Sequence, residues 1–152
     1  REISITLGAH DSLDPAAAEL VAELRLRLAG GADLTYELSG APQALDQAIA
    51  VTGFSGRVMV GSWYGKKRAP LDLGGYFHRS RIRLVSSQVS TLAPELAGRW
   101  TKERRFSLAW EMIRKMKLAK FITHQYSINE ASRAYRLLQE QPETALQVVF
   151  QY

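Results

Sequence analysis

Two stretches constrain the fold more than any others: "ADLTYEL" (32–38) and "GRVMVG" (56–61). Each is a short run of strand-forming residues. Between them Leu45, Ala48 and Ile49 recur at helical spacing, with Pro42 at the start and Gly53 as a stop. Strand, helix, strand at this spacing predicts a βαβ unit, because parallel neighbours need a crossover long enough to hold a helix. "GRVMVG" is continuous and apolar, which predicts a strand covered on both faces. "RIRLVSSQVS" (81–90) predicts a further strand.

The same reading extends to both ends. Residues 1–8 resemble the tail of a helix stopped by Gly8, and "HDSL" (10–13) reads as a short strand. Asp14 as N-cap and Pro15 in the first turn predict a helix to Ala29, with Leu20, Val21, Leu24 and Leu28 on one face. A helix is expected over 102–117, its stripe of Phe106, Trp110, Ile113 and Met116 serving as core packing onto the sheet. Ser127 and Glu130 predict a capping box before a helix to Gln139, with Ala131, Ala134, Tyr135 and Leu138 on one face. "ALQVVFQY" (145–152) closes as a strand. No strand is assigned between 118 and 127, so the segment after 118 departs from the rhythm and is expected to belong to another structural unit.

Composition narrows the class. The 152 residues suffice for one domain with a sizeable core, and no apolar run approaches the length of a membrane span, so no membrane partner is expected. The start "REISITLGAHD" is not a signal peptide, and there is no Cys, so disulfides and thiolate metal sites are excluded; a cytoplasmic location is the expectation. The formal charge is +5, concentrated in "GKKRAP" (65–70), "HRSRIR" (78–83) and "RWTKERR" (99–105). No nucleic-acid-binding motif accompanies it. Solvated basic loops or a site for an anionic cofactor account for the charge, and no nucleic-acid partner is expected.

In parallel α/β sheets, ligands bind outside the carboxyl ends of the strands. Those ends here are Ser39-Gly40, Gly61-Ser62 and Ser86-Ser87. All three are small and polar, which would let a flat or extended ligand lie against the strand tips; tight turns alone also favour Gly and Ser. No catalytic constellation is visible. His10, His78 and His124 stand apart and form no metal-ligand pattern, so no metal ligand is expected in this chain. No G-x-G-x-x-G turn, the usual seat of a dinucleotide pyrophosphate, occurs.

"GADLTYELSGAPQALDQAIAVTGFSGRVMVGSWYG" resembles the second half of the nucleotide-binding domain of the medium-chain dehydrogenase/reductase superfamily, the zinc-type alcohol dehydrogenases. "HRSRIRLVSSQVS" resembles the next strand, which in that family often pairs across a dimer. "FITHQYSINEASRAYRLLQEQPETALQVVFQY" is similar to the family's C-terminal ending. The opening "LGAHDSLDP" resembles the stretch after the second strand of the domain. The resemblance covers essentially the whole chain, carried by the order and spacing of the motifs.

It implies an α/β fold: the second half of a Rossmann-type parallel sheet, plus a C-terminal helix and strand that return to a catalytic domain outside this chain. Residues 1–117 would be a partial nucleotide-binding domain lacking its first two strands, and 118–152 a segment of the catalytic domain. The chain would then be a C-terminal fragment, inactive alone, of an enzyme transferring hydride between an alcohol and NAD(P). Zinc would assist in the parent through ligands outside this chain. Ser39 and Gly40, Gly61 and Ser62, and Ser86 and Ser87 would flank the cofactor. The substrate would be a small alcohol or carbonyl compound, and the 81–90 strand would pair two copies in a homo-oligomer. "SWYG" (62–65) is bulkier than many members carry there, which leaves the pocket shape open. The alternatives are a zinc-free quinone or enoyl reductase of the same superfamily, a non-enzymatic module using the basic face, and an interaction domain docking through the 102–117 helix.

Overall fold

A computed structural model describes residues 1–152. The chain divides into two compact units, Arg1–Thr91 and Leu92–Tyr152.

The first unit runs α1 (Glu2–Thr6), α2 (Leu20–Arg27), β1 (Ala32–Glu37), α3 (Pro42–Val51), β2 (Thr52–Val60), α4 (Tyr76–Arg79) and β3 (Arg83–Ser86). The strands form one sheet in the order β1-β2-β3, and both pairings are parallel. Pro42 occupies the first turn of α3, where its missing N–H costs no hydrogen bond. As predicted, Leu45, Ala48 and Ile49 are the buried face of that helix. They form the core with Val58 and Ile82, and Val60, Tyr64, Leu71, Tyr76 and Phe77 pack against it.

Register decides the faces. Val58 lies between Thr35 and Leu84, and Val60 between Glu37 and Ser86. Val58 is fully buried. Residues alternate across a strand, and on β1 the other parity, Leu34 and Tyr36, is exposed, while Met59 on β2 is half-buried. The expected cover on both faces is therefore corrected: α3 and the residues around Tyr64–Phe77 pack against the core that holds Val58. The strand β2 also starts earlier than predicted. Thr52 ends α3 in extended conformation, and its hydroxyl donates to the Ala48 carbonyl at 2.6 Å. Helix passes into strand with no loop, and residues 53–56 bulge between the Ala32↔Thr52 and Leu34↔Arg57 pairings. There Gly31, at φ +129, backs onto Gly53 so closely that a Cβ would stand 2.6 Å from the Gly53 nitrogen.

Three expectations at the periphery fail. "HDSL" is not a strand: β1 pairs only with β2, and Asp11 instead pairs with Arg27 at 2.9 Å. The helix expected from Asp14 begins at Leu20. The Asp14 carboxylate accepts the Ala16 N–H at 3.0 Å and its carbonyl accepts that of Ala17, which closes a local turn instead. The strand expected over 81–90 is only Arg83–Ser86. Arg81 stands at φ +54 and Val89 is exposed, so pairing stops on both sides.

The second unit contains α5 (Lys102–Met116), β4 (Ile122–Ser127), α6 (Ala131–Glu140) and β5 (Gln147–Gln151). The α5 N-terminus is capped by the Thr101 hydroxyl oxygen, which accepts the Arg104 N–H at 3.2 Å. Its stripe does not pack as expected: Phe106, Trp110, Ile113 and Met116 are all exposed. Strand β4, "ITHQYS", was missing from the prediction. It pairs in parallel with β5, and α6 crosses between them, so the βαβ rhythm recurs after residue 118. The Ser127–Glu130 capping box forms as predicted. Only part of the expected α6 stripe packs: Ala134 is buried and Ala131 half-buried, while Tyr135 and Leu138 are exposed.

Candidate functional site

The parallel sheet of the first unit brings its three carboxyl ends together. Glu37, Val60 and Ser86, the last residues of β1, β2 and β3, are register partners. Two further hydrogen bonds extend the alignment past the strands. The Gly61 N–H donates to the Glu37 carbonyl at 2.9 Å, and the Ser87 N–H to the Val60 carbonyl at 2.8 Å. The pairs Ser39-Gly40, Gly61-Ser62 and Ser86-Ser87 thus follow three adjacent strand ends on one edge. Ser39, Gly61, Ser86 and Ser87 are exposed, Ser62 is half-buried and Gly40 is buried.

The turns are held by a residue the sequence reading missed. Glu37 is 3% exposed and ends β1 on the covered face. Its Oε1 accepts the Ser39 N–H at 2.7 Å, the Ser39 hydroxyl at 2.5 Å and the Gly40 N–H at 3.0 Å. Its Oε2 accepts the Tyr64 hydroxyl at 2.8 Å and the Ser62 hydroxyl. Burial pushes this carboxyl upward. The bonds from Ser39, Ser62 and Tyr64 outweigh it and hold the group at about 2, so it is ionised at neutral pH. The Tyr64 phenol moves the other way, raised by its own burial and by the Glu37 carboxylate it faces.

Two more contacts join the turns. The Lys67 ammonium donates to the Gly40 carbonyl at 3.0 Å, and the Tyr64 hydroxyl also reaches the Ala41 carbonyl at 3.3 Å. Gly40 stands at φ +67, where a Cβ would lie 3.0 Å from the Trp63 carbonyl oxygen. The small residues at these tips therefore serve close packing and Glu37 first. Nothing local in the sequence marks Glu37: an acid at a strand end reads as exposed, and only the parallel register buries it.

Elsewhere, His124 packs its ring parallel to Tyr126 at 6.4 Å and meets the Thr123 hydroxyl at 3.0 Å, while His10 and His78 are exposed. No three His, Cys, Asp or Glu residues group as a metal site. No helix is long and apolar enough to cross a membrane.

No family model and no curated protein matches this sequence. Solved structures do match its fold. The benzyl alcohol dehydrogenase of Acinetobacter calcoaceticus aligns over 98% of this chain with a TM-score of 0.74 and 17% identity. The 2R,3R-butanediol dehydrogenase of Bacillus subtilis aligns over 92% at 0.68 and 17%. A protein of Escherichia coli CFT073 described as a short chain alcohol dehydrogenase, solved with NADH, aligns over 99% at 0.76 and 14%. The chain spans 39%, 37% and 41% of those three proteins respectively. The parallel strands, their helices and the closing C-terminal strand are thus the fold of the nucleotide-binding half of alcohol dehydrogenases, present here over nearly the whole chain.

Proposed function

We propose that this chain is the nicotinamide-side part of an NAD(P)-dependent oxidoreductase that moves a hydride between a small alcohol and its carbonyl counterpart. One observation carries the reading: three small-residue strand ends lie in register on one edge of a parallel sheet, where such sheets bind ligands. The fold likeness to an enzyme solved with NADH supports it.

The residues suit one end of the cofactor. Ser39 and Gly40, Gly61 and Ser62, and Ser86 and Ser87 would flank the nicotinamide, whose ring supplies the hydride-carrying carbon when bound. No glycine-rich pyrophosphate turn is present among the 152 residues. Residues 1–117 would serve the nucleotide-binding domain of the whole enzyme, and 118–152 its catalytic domain. Where the enzyme uses zinc, the ligands would lie outside this chain. The β3 strand, paired on one side only, would join two copies.

Saturation-transfer NMR of the 152-residue chain with NADH tests this. Nicotinamide protons should receive more saturation than adenine protons. Amide shifts should cluster at residues 39–40, 61–62 and 86–87. Stronger adenine saturation, or shifts scattered over the surface, overturns the reading. Zinc content of an active parent enzyme would separate the zinc-assisted reaction from that of a zinc-free quinone or enoyl reductase.

A further inference from the structure

Glu37 spans the two turns, one carboxylate oxygen to each. Oε1 holds Ser39 and Gly40, and Oε2 holds Ser62 and Tyr64. It forms no ion pair within 4.0 Å with any Lys, Arg or His. Burial costs this charge its water, and five neutral donors replace that water. What the charge provides is orientation, because a carboxylate can only accept.

That has a consequence for any ligand at the strand tips. The Ser39 and Ser62 hydroxyls donate to Glu37, and the Tyr64 hydroxyl donates to Glu37 at 2.8 Å with the Ala41 carbonyl as a second acceptor at 3.3 Å. The Ser39 oxygen also accepts the Ala41 N–H at 3.1 Å. Of the hydroxyls expected to greet a ligand, those of Ser39 and Ser62 therefore have no proton left to donate. They can offer only lone pairs, above a buried negative charge.

We propose that Glu37 is the positioning residue of the strand-tip site, and that it makes the site select ligands bearing hydrogen-bond donors over anionic ones. An amide N–H or a hydroxyl meets acceptors there. A carboxylate or phosphate against the Ser39 and Ser62 oxygens meets lone pairs and a like charge, offset only in part by the Lys67 ammonium on the Gly40 carbonyl. The identity of the ligand, a nicotinamide carboxamide, rests on the function proposed above; the positioning of the two turns does not.

Two measurements on the 152-residue chain test this. The first is amide hydrogen exchange at residues 39–40 and 61–64 in the wild type, in E37Q, and in an S62A/Y64F double variant that frees Oε2 alone. E37Q should raise exchange in both turns beyond any rise at Val58 and Ile49, which report global unfolding, and S62A/Y64F should do so in 61–64 only. Equal exchange in all three proteins overturns the positioning role. The second is NMR titration with nicotinamide mononucleotide and with nicotinic acid mononucleotide, which differ by amide against carboxylate. The wild type should prefer the amide by about tenfold, a coupling of the size expected for like charges near a protein surface, and E37Q should lose that preference. Equal affinities in the wild type overturn the donor selection. Binding of neither, with the turns tied by Glu37, overturns the nicotinamide reading and the selection resting on it, and leaves positioning supported.

Discussion

Replacing Glu37 by Gln keeps the shape of the side chain and removes its charge. The folded carboxyl is held at about 2, against an ordinary value of 4.5. The folded state thus binds fewer protons than the unfolded chain in acid. The charge stabilises the fold above about pH 4.5, and the stabilisation is lost as pH falls toward 2. At 1.36 kcal/mol per tenfold in proton affinity, the gap corresponds to about 3 kcal/mol at pH 7. The same linkage leaves less than half of that at pH 3. Urea unfolding should follow Trp63 fluorescence in a W100F/W110F background, because Trp63 reports on the first compact unit. The stability gap between Glu37 and E37Q should narrow by about 2 kcal/mol between pH 7 and pH 3, with unchanged m-values. A gap that stays constant across this range would show that the carboxylate is not ionised against its donors, and would sink the reasoning.

Gly31→Ala should destabilise the first unit by about 2 kcal/mol or more, since its Cβ has only backbone to meet at a left-handed φ; a thermal melt within 0.5 kcal/mol of wild type, on the scale of a neutral surface change, contradicts this. Val58→Ala removes a fully buried side chain and should cost about 2–3 kcal/mol in urea unfolding. Thr101→Ala deletes the cap of α5 and should cost about 1 kcal/mol of helix stability, read as lost helical circular dichroism on warming. Both β1 and β3 are edge strands. Sedimentation equilibrium should therefore show concentration-dependent association, and a strict monomer across the range would remove β3 as an oligomer contact.

Much of the first unit was legible because its signals are local. Pro42 marks a helix start, the Leu45–Ala48–Ile49 stripe states a helical period and the apolar 58–60 run marks a strand, and the structure uses all three. The strand β4 was not legible, because "ITHQYS" mixes polar and apolar residues; only its pairing with β5 makes it a strand. Asp14 misled for a related reason. The same side chain can cap a helix or close a short turn, and nothing local separates the two. The α5 stripe has a clear helical period, yet a period says only that a face is apolar, not that anything covers it.

The sequence by itself determined the βαβ order, the parallel sheet that order requires, and the three small-residue strand ends. Those follow from chain-local periodicity and from the length of crossover that parallel strands need. The tertiary structure alone decided that Glu37 reaches across 25 and 27 residues of chain to Ser62 and Tyr64. A glutamate at the end of a strand reads locally as exposed. Parallel register sets it beside Val60, burial removes its water, and five protein donors replace that water. Two of the hydroxyls that the sequence offered to a ligand, those of Ser39 and Ser62, are turned inward by that one charge.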